Sequence, residues 1–126
     1  MRVTESEENY LERILMISEK KDRVKAVDIA RSMDFSKPSV SYAMRNLSDK
    51  GLIEILINND IILTDAGRQI AEEIYERHRV VAQVLMFLGV NKDTAYEDSC
   101  EIEHRISQET FDKIKEFAIN NKIIGK

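Results

Sequence analysis

A chain of 126 residues with 43% hydrophobic content can bury a core, in one domain or in two small coupled ones. Its 23 acidic residues outnumber its 19 basic ones. The formal charge of −4 excludes a protein that adheres to nucleic acid through its overall charge, though not one that binds through a local basic patch. The single cysteine, Cys100, excludes an intrachain disulfide and fits the cytoplasm. No apolar run approaches a membrane span, and the polar, acidic N-terminus reads as having no signal peptide.

With one proline and four glycines, helix should dominate. Thr4 and Glu7 have capping-box spacing, and Tyr10, Leu11, Ile14 and Leu15 form a helical apolar stripe running to about Lys20. Asn9 and Glu12 lie three apart beside that stripe and can face a common neighbour. Lys21 to Lys25 reads as a polar connection. Val27, Ile29, Ala30 and Met33 suit a short helix, followed by a corner at Asp34-Phe35-Ser36. Ser36 is a natural N-cap, and Pro38 falls in the first turn, where its missing N–H costs nothing. The next helix buries Val40, Ala43, Met44 and Leu47 and stops at Lys50-Gly51. Two short helices with this corner read as helix-turn-helix. The β-branched runs Leu52–Ile57 and Ile61–Thr64, around Asn58-Asn59-Asp60, predict a hairpin directly after it, which makes the unit a winged helix.

Thr64 or Asp65 should cap a long helix through Leu88, in which Ala71, Ile74, His78, Val81 and Leu85 form one stripe. His78 lies inside that stripe, where a hydrogen-bonded core histidine and a metal ligand are both open readings. After Gly89 a further helix is predicted over Tyr96–Ile106. Ser107 should cap a last one through about Asn121, with Phe111, Ile114, Phe117 and Ala118 apolar. On a helix, Cys100, Glu103 and His104 at i, i+3 and i+4 would offer a thiolate, a carboxylate and an imidazole to one point. Those are donor types for first-row transition metals, although a solvated acidic helix with a stray cysteine reads equally well from the pentapeptide alone.

With these parts in order, the chain resembles the diphtheria-toxin-repressor family of metal-dependent transcriptional repressors, and its short, manganese-transport-regulator branch in particular. The resemblance rests on Glu8-Asn9-Tyr10-Leu11-Glu12, Leu63-Thr64-Asp65-Ala66-Gly67, Arg77-His78-Arg79, and the run from Asp98 to Ser107, in that order and spacing. It implies a mainly α protein. Residues 1–65 would form a winged helix-turn-helix DNA-binding domain, and residues 66–126 a helical metal-binding and dimerisation domain. The third, SH3-like domain of longer members is not expected.

The resemblance also implies a metal site of Asn9, Glu12, His78, Cys100, Glu103 and His104, holding Fe(II) or Mn(II). Asn9 stands where the family usually has Asp or Met. Cys100 is the iron-type residue and Glu12 the manganese-type one. Ala82 and Tyr96 occupy positions where iron-type members place ancillary ligands. A thiolate favours Fe(II) or Co(II) over Mn(II).

The expected partners are an operator DNA duplex and a second copy of the chain, with no membrane and no small-molecule substrate. Ser36, Lys37, Pro38, Ser39, Ser41 and Tyr42 would enter the major groove, with Arg45 and Lys25 near phosphates. The wing lacks the Lys and Arg often found there. Two other functions are consistent with the sequence. One is a winged-helix regulator that senses a different signal and keeps a degenerate metal site. The other is a metallohydrolase with Glu103 as base, for which the chain shows no nucleophile constellation. No enzymatic activity is expected.

Overall fold

The structure, a computed structural model, describes residues 3–124; residues 1, 2, 125 and 126, the outer ends of the two expected domains, lie outside it. The described residues form six helices and one two-stranded antiparallel sheet. In chain order these are α1 (Glu5–Ser18), α2 (Ala26–Met33), α3 (Lys37–Asp49), β1 (Ile53–Ile55), β2 (Ile61–Leu63), α4 (Asp65–Phe87), α5 (Lys92–Ile102) and α6 (Gln108–Asn120). No helix among them is long and apolar enough to cross a membrane. The chain divides into two compact units between Glu72 and Glu73, within α4.

The first unit is a winged helix. Thr4 and Glu7 form the capping box that starts α1: the Glu7 amide donates to Thr4 Oγ1, and the Thr4 amide to Glu7 Oε1. Leu11, Ile14 and Leu15 of α1 are buried, as are Ile29 of α2 and Val40, Met44 and Leu47 of α3. Helix α1 packs on α2 and on β2, and α3 packs on α2 and on β1. The corner between α2 and α3 turns at Asp34, whose φ of 57° is in the left-handed region. Ser36 then caps α3, accepting from the Ser39 amide at 3.3 Å.

The wing is shorter than the β-branched runs suggest. Ile53 pairs with Leu63 and Ile55 with Ile61, but beyond them the Leu56 amide turns to Asp60 O and the Asn59 amide to Leu56 O. Residues 56–60 therefore form the turn, with Asn59 at φ 69°. The loop before α2 joins the sheet, since the Ile61 amide donates to Val24 O at 2.7 Å.

In the second unit Val80 of α4 packs with Phe111 and Ala118 of α6, flanked by Val84, Ile106, Ile114, Ile123 and Ile124. Helix α5 differs from its predicted span of Tyr96–Ile106. Asn91 caps it, accepting from the Asp93 amide, so it begins at Lys92, and it ends at Ile102. Residues 103–106 form a turn; its first residue, Glu103, keeps helical backbone as the C-cap of α5, its amide donating to Ser99 O, and the Glu103 and Ile106 carbonyls find donors outside α5.

Gly67, in the first turn of α4, lies against the backbone of Leu52. A Cβ added there would fall 1.9 Å from Leu52 O. A carbonyl already fixed beside the sheet cannot yield as a flexible side chain does. Gly67→Ala should therefore destabilise the protein toward the upper end of about 1–3 kcal/mol, the usual cost of overpacking. A drop in the urea midpoint with unchanged slope is the expected result.

Candidate metal centre

One turn of α4, the end of α5 and the turn after it bring the donors together. His78 Nδ1, Cys100 Sγ and a Glu103 carboxylate oxygen all lie within 4.8 Å of one another. Glu103 is completely buried and His78 nearly so, while Cys100 is exposed and forms the solvent side of the cluster. His78 Nδ1 is 2.9 Å from Glu103 Oε2, and His104 Nε2 is 3.3 Å from Glu103 Oε1; the His104 side chain is itself almost wholly buried. Tyr96 covers one side of the His78 ring, with centroids 5.4 Å apart.

These contacts bring charges together without aligning them as hydrogen bonds. Both Glu103 oxygens are buried, and neither accepts a hydrogen bond of acceptable geometry. A second feature points the same way. Ser99, also fully buried, donates its one hydroxyl proton to Tyr96 O at 3.0 Å, so its oxygen can only accept from His78 Nδ1, 3.2 Å away. Cys100 Sγ stands 3.5 Å from the same nitrogen. Three acceptors thus converge on one N–H. A cation with several coordination positions suits a thiolate, a carboxylate and an imidazole so placed better than one proton does, and the donor set fits a first-row transition metal.

Burial alone would lower the His78 pKa. The close contact with Cys100, and then the contact with Glu103 and its charge, outweigh it and push the value up to about 10. Without an ion, the charged imidazole stabilises the fold. That contribution is complete below the ordinary histidine pKa of about 6.5 and is lost as pH rises through about 10.

Asn9 and Glu12 belong to α1 in the first unit, where Asn9 is half-buried and Glu12 buried. The expected DNA-contacting residues lie in that unit too. Ser36, Lys37, Pro38 and Ser39 are exposed at the start of α3, Tyr42 and Arg45 are exposed further along it, and Ser41 is half-buried. Lys25, Lys37, Ser41 and Arg45 line a groove of about 380 Å³ whose other wall includes Ile55 and Asn59 of the wing. Lys25 is the one whose charge is already engaged: its ammonium donates to Asn58 O at 2.8 Å and to Asp60 Oδ1 at 2.7 Å. The hydrogen bond from Lys25 holds the Asp60 carboxyl below the usual range.

Sequence reasoning assigned no role to Ser99 or Arg77. Both sit inside motifs that carry the family resemblance, next to Cys100 and His78, and that adjacency was the available signal. Nothing in the sequence pairs Lys25 with Asp60, 35 residues away.

A winged helix followed by a helical unit with a mixed N/O/S donor cluster defines a metal-responsive DNA-binding protein. Comparison with known proteins agrees. Residues 2–56 match the family model "Iron dependent repressor, N-terminal DNA binding domain", and residues 64–122 match "Iron dependent repressor, metal binding and dimerisation domain". The transcriptional regulator MntR of Escherichia coli O6:H1 is 33% identical over 110 residues, covering 87% of this chain and 71% of its own length. Among solved structures, the manganese regulator SloR superposes with a TM-score of 0.79 at 27% identity, over 93% of this chain and 54% of that one. A manganese-dependent transcriptional repressor in complex with manganese gives 0.79 at 26% identity, over 93% and 52%. The chain thus spans about half the length of these solved neighbours. It belongs to the iron-dependent repressor family, which places it among metal-dependent, DNA-binding transcriptional repressors.

An ion bound at Nδ1 of His78 would displace the proton held there beside Glu103, Cys100 and Ser99. Metal affinity should therefore rise with pH toward the His78 value of about 10, by up to about tenfold per pH unit for one proton released. Calorimetric titration at several pH values, in buffers of different ionisation enthalpy, measures both the slope and the proton release. Flat affinity across the neutral range would contradict it.

Proposed function

We propose that this chain is a homodimeric repressor switched on by Fe(II) or Mn(II), with His78, Cys100, Glu103 and His104 as the metal-binding core of each protomer. The observation that carries this reading is the convergence of His78 Nδ1, Cys100 Sγ and the buried Glu103 carboxylate within 4.8 Å, in the part of the chain that matches a metal-binding and dimerisation domain. Asn9 and Glu12 are proposed as additional donors on the family resemblance alone. A bound ion supplies fixed positive charge and several coordination positions. Glu103 would give up its imidazole partners for it, His78 its proton, and Cys100 its exposed position.

The set favours regulation over hydrolysis. Both Glu103 oxygens face imidazoles, whereas a general base must face a substrate. Operator duplex and a second copy of the chain are the proposed partners. On the DNA face we assign the start of α3, from Ser36 to Tyr42, to the major groove, and Arg45 and Lys25 to phosphates. Lys25 lies on the same groove but holds the wing through Asp60 and Asn58, so its phosphate contact would be weaker than that of Arg45.

Coupling follows if donors on both units share an ion: their relative placement, and so that of the two α3 helices in a dimer, is then restricted. A hundredfold bias in each direction requires about 5.5 kcal/mol of differential binding, within the range of metal coordination.

Operator binding by the reduced protein, titrated with Fe(II), Co(II) and Mn(II) without oxygen, tests this function. Metal should stimulate binding, and His78→Ala should abolish the stimulation while leaving the helical fold. An unchanged metal affinity in that variant would sink the site. The thiolate of Cys100 should make Fe(II) and Co(II) bind more tightly than Mn(II), and Cys100→Glu should narrow the gap. On the DNA side, Arg45→Ala should weaken binding on all sequences alike and flatten the salt dependence by about one unit of slope. A sequence-selective loss would mean that Arg45 reads bases instead.

A further inference from the structure

Arg77 precedes His78 in α4 and extends its guanidinium to the segment after α5. Nη1 donates to the carbonyls of Glu103 at 3.2 Å and Ile106 at 3.0 Å, and Nη2 donates to Gln108 Oε1 at 2.8 Å. The same group lies over the Phe111 ring, 5.3 Å from its centroid, and Phe111 is buried against Val80 and Ala118. One planar group therefore joins α4, the turn at 103–106 and the start of α6.

The bonds to the turn fall on its backbone. Helix α5 ends at Ile102, and the carbonyls beyond it have no partner within that helix. Arg77 supplies the donors and so fixes the path of the chain through the residues that carry Glu103 and His104. The Glu103 carbonyl held by Arg77 and the Glu103 carboxylate facing His78 belong to one residue. A displacement of that residue would open the 2.9 Å contact between Oε2 and His78 Nδ1. A guanidinium has no lone pair to offer a cation and stays charged at all relevant pH, so Arg77 cannot itself be a ligand.

We propose that Arg77 is a positioning residue of the metal centre. It holds Glu103 and His104 against His78 and passes the state of that turn to α6 through Gln108 and Phe111. The inference rests on the metal-binding reading above. Lysine keeps the charge and can lie over Phe111, but one ammonium cannot reproduce a rigid fork spanning two carbonyls and a side-chain amide.

The test is a Co(II) titration of the wild type, Arg77→Gln, Arg77→Lys and His78→Ala in reducing, oxygen-free buffer. It reads affinity by chelator competition and the thiolate-to-cobalt charge-transfer absorption that reports Cys100. Urea unfolding of the metal-free proteins, run alongside, ensures that all titrations are made on folded protein. Arg77→Gln should lose about 10–100-fold in Co(II) affinity, the range typical of residues that orient ligands, with an altered charge-transfer band. Arg77→Lys should also lose affinity, by less, and decides the matter if the glutamine variant does not fold. If Arg77 contributed only stability, the folded lysine variant would match the wild type in both affinity and spectrum, and that result overturns the proposal. A wild type without a charge-transfer band, or a His78→Ala variant with undiminished affinity, would overturn the metal-binding reading instead, and the inference with it.

Discussion

The second unit depends on a carboxylate with no access to water. Glu103 is fully buried, and an isolated charge in that position would be expelled or neutralised. The fold retains it by placing His78 Nδ1 and His104 Nε2 on its two oxygens and by keeping the His78 imidazole protonated. Neither contact is aligned as a hydrogen bond, so the balance is one of charge more than of directed bonding. Such a pair is easily disrupted by removing one partner, and for the same reason it can be exchanged for another cation. Ser99 and Cys100 add oxygen and sulfur to the same nitrogen, so three acceptors stand around one proton.

The parts of the fold legible in the sequence were those specified over three or four residues. The Thr4–Glu7 capping box, the Ser36 cap with Pro38 beside it, the stripe through Ala71 and His78, and the Ser107 cap all depend on local spacing, and all appear where expected. What the sequence did not show was set by partners far along the chain. Helix α5 stops four residues before its predicted end, and the carbonyls of the turn that follows go to Arg77, 26 and 29 residues away. The wing strands shorten because Asp60 turns back to Leu56 while its side chain takes Lys25. The shorter α5 leaves the expected convergence of Cys100 and Glu103 in place, because Glu103 keeps helical backbone as the C-cap and so stays one turn from Cys100.

The first unit shows how an acidic protein can present a DNA-binding surface. The cations of the groove beside α3 are few, and Lys25 is already paired with the wing's Asp60, joined at 3.7 Å by Arg23. The wing itself carries exposed Ile55, Leu56 and Ile57 in place of basic residues. Non-specific attraction to phosphate is therefore weak by construction. On the reading proposed above, selective binding would rest more on the geometry of α3 than on charge.

The Glu103 and Arg77 arrangements meet where α5 gives way to a turn. Glu103 still follows the helical path as the C-cap, and the chain turns only beyond it. In a turn, the backbone follows its strongest partners, which are Arg77 on the carbonyl side and the two imidazoles on the carboxylate side. An ion in place of the His78 proton would change the second set of forces, while the first ties the turn to Gln108 and to the core around Phe111. The position of Glu103 is thereby tied through Arg77 to α6, in the part of the chain that matches a dimerisation domain.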